Sequence, residues 1–169
     1  MSATRPLSIP ALAVAIAMLL TTAAPAHAAE EGATSASIAL GAGRQLDRTY
    51  TVLSGRYGYY FVRDFEASIG VEAWRGNDPA IYKVVPELRW AYSGNPRAGP
   101  YIAGFISRTF YDGLPDRNTY GGRLGVYFAL NRGSYLAIGA VAERISDCDE
   151  NTYHKCEQTY PEVGLHFTF

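Results

Sequence analysis

Apolar and polar side chains alternate with a period of two along most of this chain. Between Glu162 and Phe169, every second residue from Val163 onward is apolar, and the residues between them are polar or glycine. A period of two places the two sets on opposite faces of a β-strand, whereas a helix would mix them. The same alternation recurs in seven further segments, which are residues 37–41, 53–61, 65–73, 82–90, 101–111, 123–130 and 136–143. We therefore predict an all-β protein of eight strands.

One of these segments is ambiguous, because residues 101–111 carry apolar side chains on both faces. Arg108 is the only charge in the segment. We assign Arg108 to the polar face, since charges mark that face in the other strands. The apolar face of this strand then carries Tyr101, Ala103, Phe105 and Thr109.

The first 28 residues have the three parts of a secretory signal peptide. Arg5 precedes the unbroken apolar run Ala11–Leu20, and Ala26-His27-Ala28 matches the small-x-small cleavage pattern. An N-terminal membrane anchor is the alternative, but the apolar run is shorter than the roughly 20 residues of a spanning helix. We predict cleavage after Ala28 and a single domain over residues 29–169.

The charges on the polar face of the predicted strands are balanced. They are Arg56, Lys83, Arg89, Arg108 and Arg123 against Glu66, Glu72, Glu87, Glu143 and Glu162. Balance is expected inside a closed space, where each buried charge needs an opposite partner, and a solvated outer surface does not require it. Aromatic residues near strand ends on the apolar face favour a membrane interface. We therefore predict a transmembrane barrel with a charge network in its lumen rather than a soluble barrel.

The connections between the predicted strands alternate in character. Those at residues 62–64, 94–96 and 131–133 have turn composition, and those at 45–47, 76–79, 113–116 and 146–159 are longer or more polar. This alternation is typical of an up-and-down antiparallel barrel whose two ends face different compartments. Strands of about ten residues are long enough to cross a bilayer when tilted. Eight of them enclose an interior that side chains can fill.

The closing segment from Val163 to Phe169 resembles the C-terminal signature of the small eight-stranded outer-membrane β-barrel proteins of Gram-negative bacteria. The matching features are the terminal aromatic residue and the alternating apolar residues before it, so Phe167 and Phe169 are the predicted assembly signal. The resemblance implies location in the outer membrane, insertion by the outer-membrane insertion machinery, termini in the periplasm and longer loops outside. It also implies contact with outer-membrane lipid and lipopolysaccharide.

Few residues of the predicted barrel have the chemistry of a catalytic site. His166 and Thr168 could be read as a base and a nucleophile, but no acid stands at a matching position to orient the ring. The chain also resembles the eight-stranded outer-membrane lipid A deacylases in length and strand count. Glu143 and Ile145, however, replace that family's catalytic His-x-Ser. We predict a monomeric protein without enzymatic activity or cofactor, in a structural or surface-interaction role. The alternatives are a lipid A-modifying enzyme and a narrow solute channel.

The cysteines and the overall charge give two further predictions. Cys148 and Cys156, the only cysteines, lie in the longest predicted loop. Because thiols of exported proteins usually oxidise, we predict a disulfide; a metal site that includes His154 is the alternative. With 15 Lys and Arg against 16 Asp and Glu, the net charge is −1. The positive surplus that nucleic-acid binding requires is missing, so we predict no nucleic-acid partner.

Overall fold

A computed structural model describes residues 30–95, 97–146, 148 and 156–169. The predicted signal peptide and its cleavage site lie outside these residues, as does His154. The chain forms eight strands: β1 Thr34–Gln45, β2 Arg48–Val62, β3 Phe65–Arg75, β4 Ile81–Ala91, β5 Ala98–Tyr111, β6 Leu114–Asn131, β7 Ser134–Ile145 and β8 Glu157–Thr168. None of the described residues forms a helix long and apolar enough to cross a membrane.

The eight strands close into one antiparallel barrel in which each strand pairs with its neighbours in the chain. Strands β1 and β8 complete the circle, with Ser35 opposite Thr168 and Gly41 opposite Glu162. At the same seam, Thr34 and Phe169 each donate a backbone hydrogen bond to the other's carbonyl, at 3.2 and 2.9 Å. Closure leaves no unpaired sheet edge, which a strand protein in lipid requires. The predicted all-β, up-and-down, eight-stranded barrel is confirmed.

The outer wall carries the apolar residues of the alternation. Leu40, Ile69, Ile106 and Leu124 leave between 59% and 65% of their surface exposed. A soluble protein rarely exposes a continuous surface of such residues, whereas hydrocarbon is a suitable solvent for it. For seven of the eight strands, the predicted inward and outward faces agree with the burial of the side chains.

The predicted faces of β5 are wrong. Tyr101, Ala103 and Phe105 point inward and are buried, whereas the Arg108 side chain points outward and is 49% exposed. The register explains the error. Ala103 lies opposite the inward-facing Arg89 on β4, and pairing fixes the same face for both residues. Arg108 is therefore not part of the lumenal network. It forms an ion pair with Asp116 at 3.5 Å on the outer wall.

The connections define the two ends of the barrel. One end of the barrel carries Thr34, Phe169 and the connections at 63–64, 92–97 and 132–133, and we call it the terminal end. We call the opposite end the loop end. The predicted turn at 94–96 is part of the longer connection 92–97. At the loop end, the predicted loop at 113–116 is mostly strand, because β6 begins at Leu114. The connection at 46–47 is equally tight, and both of its residues have positive φ, as in hairpin turns that match the strand twist.

Candidate functional site: the filled lumen

Arg123 on β6 occupies the centre of the charged layer in the lumen. Its Nε donates to Glu87 at 2.7 Å, its Nη1 donates to Glu162 at 2.5 Å, and its Nη2 donates to Glu72. The Arg123 side chain is 1% exposed. A planar guanidinium can serve several carboxylates because its donors point in fixed directions. One arginine therefore connects β3, β4 and β8 across the lumen.

Two further arginines extend this network. Arg56 Nη2 lies 3.0 Å from Glu162, and its Nε lies 3.9 Å from Glu87. Arg89 donates to Glu87 and lies 3.5 Å from Glu66, which also accepts a hydrogen bond of 2.6 Å from Ser35 Oγ. Each carboxylate is thereby shared between donors from different strands. Such sharing is what allows charges to remain ionised away from water.

A separate ion pair lies closer to the loop end. Lys83 on β4 pairs with Glu143 on β7, and Glu143 also accepts a hydrogen bond from Gln158 on β8. The lumen thus holds four basic and five acidic buried side chains among the described residues, contributed by six strands. The predicted balance of five basic and five acidic residues is therefore wrong by one basic residue, because Arg108 lies on the outer wall. The buried network consists of Arg56, Glu66, Glu72, Lys83, Glu87, Arg89, Arg123, Glu143 and Glu162.

Glycine on nearby strands makes room for some of these long side chains. A Cβ on Gly58 would lie 2.1 Å from the Glu66 carboxylate, so only glycine permits that approach. A Cβ on Gly43 would likewise lie 2.5 Å from the Trp74 ring. Small residues of the inward face are therefore matched to large residues on nearby strands, as close packing requires.

An aromatic cluster closes the lumen toward the loop end. Trp74 is fully buried and contacts Tyr50 and Tyr160, with ring centroids 6.1 and 5.2 Å away. Lys83 Nζ lies 4.3 Å from the centre of the Trp74 ring, a cation–π contact that joins this cluster to the charged layer. The inward-turned Phe105 and Tyr111 of β5 pack in the same cluster. This cluster was not predicted from the sequence. The alternation does place these residues inside, because Trp74 lies two residues from the inward-facing Glu72 and Tyr160 lies two residues from the inward-facing Glu162.

A second aromatic group lies at the terminal end. Tyr127 packs between Tyr101 and His166, with centroids 4.6 and 5.0 Å away. The Tyr60 hydroxyl and His166 Nε2 are 3.3 Å apart and form a hydrogen bond. His166 and Thr168 face inward as expected. The hydrogen bond of His166 is to a phenol rather than to a carboxylate that would make it a stronger base.

The positions that correspond to the deacylase pair have structural contacts. Glu143 is neutralised by Lys83, and Ile145 is packed in the aromatic cluster. These positions therefore do not carry the His-x-Ser pair of that family.

Cys148 and Cys156 form a disulfide, with Cα atoms 5.6 Å apart. Cys148 also packs against the aromatic cluster, so the bridge joins the start of β8 to that cluster. Both thiols are consumed in the bond, which removes the ligands of the alternative metal site. Within the described residues, no group of three or more His, Cys, Asp or Glu side chains could hold a metal ion.

Phe167 and Phe169, the predicted assembly signal, lie on the outward side of the barrel seam. Phe169 leaves 63% of its surface exposed, and Phe167 is partly buried beside β1 and β7. A ring at this position is available to lipid or to another protein.

No protein-family profile and no curated protein matches the sequence. Solved structures do. The Neisserial surface protein A is 17% identical, covering 81% of this chain and 96% of its own, with a TM-score of 0.62. The N-terminal β-barrel domain of OprF from Pseudomonas aeruginosa is 10% identical, covering 82% and 98%, with a TM-score of 0.63. The outer membrane protein OprG from the same organism is 10% identical, covering 83% and 97%, with a TM-score of 0.53. These likenesses confirm the predicted fold of the small outer-membrane β-barrels, and the predicted outer-membrane location agrees with it.

Proposed function

We propose that this outer-membrane β-barrel is a non-enzymatic, non-conducting protein that works through its outer wall and its loops. One observation carries the proposal: Arg123 joins Glu72, Glu87 and Glu162 across the middle of the lumen. The interior is thereby committed to holding the barrel together. What remains for interaction is the surface.

The filling of the lumen argues against a solute channel. The charged layer lies between the aromatic cluster of Trp74 and the group around Tyr127. An ion that crossed this region would have to separate buried ion pairs, and breaking one such pair costs about 3–5 kcal/mol. We therefore expect the unmodified barrel to block ions.

The pairing of the inward charges also argues against lipid chemistry. A general base needs a pKa and a position suited to take a proton, and a nucleophile needs a base within hydrogen-bond reach. Glu87 is instead shared among three arginines, and Glu162 is shared between two. Carboxylates held in this way serve the fold.

The outer wall near the loop end favours contact with the lipid of the outer leaflet. Arg108 pairs with Asp116 and Arg144 with Glu157, and all four side chains are exposed. Exposed pairs contribute little to stability, so these arginines can exchange partners with lipopolysaccharide phosphates, and the acids can hold divalent cations. As partners we propose outer-membrane lipid and lipopolysaccharide, together with the insertion machinery that assembles the barrel. We propose that the barrel acts as a monomer.

Two measurements test the proposal. The purified protein in planar bilayers should give no steady conductance, and a stable, ion-selective current would contradict it. Mass spectrometry of lipid A from cells with and without the protein should give the same spectrum. A lipid A species that depends on this protein would establish an enzyme instead.

A further inference from the structure

The outer wall of β1–β4 has an unequal distribution of charge. Among the described residues of these four strands, the outward-facing charges are Arg44 on β1 and Arg75 on β3, and both lie at the loop end. The acids nearest in sequence at this end, Asp47 and Asp78, belong to the connections that follow β1 and β3 rather than to the wall. This part of the wall is therefore basic at its loop end and uncharged below it.

Hydroxyl groups lie between the two arginines. Thr49 on β2 is exposed and lies opposite Arg44. Thr51, also exposed, lies opposite Arg75. Arg75 stacks on Tyr82 of β4, with its guanidinium carbon 4.9 Å from the ring centre, and donates a hydrogen bond to the Tyr82 hydroxyl. Strand spacing and rise place the Cα atoms of the two arginines about 12 Å apart. A surface of donors without a carboxylate suits an anion such as phosphate.

The wall becomes apolar directly below these donors. Leu40 lies opposite Leu53, and the next outward row toward the middle of the barrel consists of Ile38, Gly55 and Val71. The four larger side chains are exposed. A Cβ on Gly55 would meet no atom within 4 Å, so the row has a shallow opening at this position. The opening lies about 13 Å along β2 from the nearer threonine. Donors and apolar groups thus follow each other in the order of a lipid's phosphate and its acyl chain.

The opposite half of the wall lacks this arrangement. Arg108 is held by Asp116 at 3.5 Å, and Arg144 is held by Glu157 at 3.0 Å. A lipid phosphate that binds there has to displace a carboxylate or use a divalent cation as a bridge. On β1–β4 the same phosphate meets guanidinium groups on a wall without acids, so it can bind directly.

We propose that the outer wall of β1–β4 binds one lipid A molecule by direct contact at the loop end. This assignment rests on the proposed function, which places the loop end at the outer leaflet and has lipopolysaccharide as a partner. Lipid A carries phosphates on its sugars and several acyl chains, so it presents anions beside hydrocarbon. Its phosphates contact Arg44 and Arg75, and one acyl chain lies in the opening at Gly55.

The test measures retention of radiolabelled, diphosphorylated lipid A by the full barrel, immobilised in detergent micelles with EDTA present. EDTA removes the divalent cations through which acids could hold a phosphate. Binding should saturate at one lipid per barrel. Arg44→Gln and Arg75→Gln should each weaken it about tenfold, as expected for the loss of one charge-assisted contact. Arg63→Gln and Arg132→Gln remove the same charge from exposed turns of the terminal end, and these matched controls should change nothing.

A second pair of variants tests the seat of the acyl chain. Gly55→Leu fills the opening and should weaken lipid A about fourfold, which corresponds to one methylene group that is no longer buried. Gly104→Leu is its matched control on β5. Gly104 also points outward, and a Cβ there would likewise meet no atom within 4 Å. This variant should bind lipid A as the unmodified barrel does. Circular dichroism verifies that each variant is folded.

Four results would overturn the inference. In the first, Arg108→Gln and Arg144→Gln lose lipid A whereas Arg44→Gln and Arg75→Gln retain it; the lipid then binds on β5–β8, and the proposed function stands. In the second, the terminal-end controls lose as much affinity, so that only net charge attracts the lipid. In the third, phosphatidylglycerol binds as tightly with the same dependence on both arginines, which would assign the wall to phosphate lipids in general. The fourth is no retention of lipid A at all. A barrel that conducts ions yet holds lipid A at this wall would instead contradict the proposed function alone.

Discussion

Replacing Arg123 with methionine should destabilise the barrel more than any other single change in the charged layer. Methionine keeps an unbranched side chain of comparable reach and can still pack against Phe105, whose ring centre lies 4.9 Å from the Arg123 guanidinium. What the substitution removes is three ion pairs at once. The lumen, with four basic and five acidic residues before the change, would then hold three basic residues against the same five acids.

The magnitude follows from what each glutamate retains. Glu87 keeps Arg89, and Glu162 keeps Arg56. Glu72 is left with a hydrogen bond of 3.3 Å from Trp74 Nε1 and with no ion pair among the described residues. One carboxylate is therefore stranded, and a stranded buried charge costs about 3–5 kcal/mol. We expect that loss in the free energy of unfolding.

The assay is equilibrium unfolding by urea of the barrel in lipid vesicles, with stability obtained by linear extrapolation. Arg108→Met is the matched control, because Arg108 forms an exposed pair on the outer wall. Its cost should stay below about 1 kcal/mol. Neutralising the stranded acid in the double variant Arg123→Met, Glu72→Gln should recover part of the loss.

Glu87→Ala gives an independent measure from the acidic side. It removes contacts to Arg56, Arg89 and Arg123 but leaves four basic against four acidic residues. Its cost should therefore be lower than that of Arg123→Met, about 2–3 kcal/mol. If Arg123→Met and Arg108→Met cost the same, the lumenal charges are solvated. That result would contradict a filled lumen.

Three further predictions concern maturation and assembly. Mass spectrometry of the purified protein should give a chain cut after Ala28, and an intact N-terminus would favour the anchor. Without reductant, Cys148 and Cys156 should resist thiol labelling; labelling of both would contradict the bridge. Deleting Phe169 should lower the yield of folded barrel far more than Thr168→Ala, because the outward ring meets lipid and insertion machinery while Thr168 faces the lumen. Equal yields would disprove the assembly signal.

Most of the architecture was predictable because one physical rule covers it. In a closed barrel, each side chain meets either lipid or lumen, and the alternation records that choice residue by residue. The rule fails in a strand whose two faces both carry apolar side chains. In β5, Phe105 joins the aromatic cluster while Ile106 faces lipid. Hydrophobicity cannot distinguish these surroundings, and only pairing with β4 and β6 does. The faces of β5 were assigned wrongly from Arg108, because this residue lies near a strand end, where an outward charge is tolerated.

The charged layer was predictable as a set of residues but not as a set of contacts. The alternation along each strand places Arg123 and Glu72 in the lumen. The stagger of the strands, however, decides which charges lie at the same position along the barrel axis. Glu72 lies opposite Lys83 in the register of β3 and β4, yet Lys83 pairs with Glu143. That choice depends on the direction of the side chains. The strand bounds at the loop end could not be predicted from the sequence either. Residues 113–116 were predicted as one of the longer or more polar connections, yet hairpin pairing extends into them.

The hydrogen bonds between Thr34 and Phe169 have a consequence for chain order. Because β1 and β8 pair like any other neighbours, the finished barrel has no first strand and no last one. A circular permutant that joins the present ends and opens at the turn of residues 132–133 retains every ladder and the same lumen, apart from that turn. It ends, however, on β6 instead of β8. Permutation thus separates two properties that the natural order combines: the stability of the closed sheet and the identity of the strand that is synthesised last.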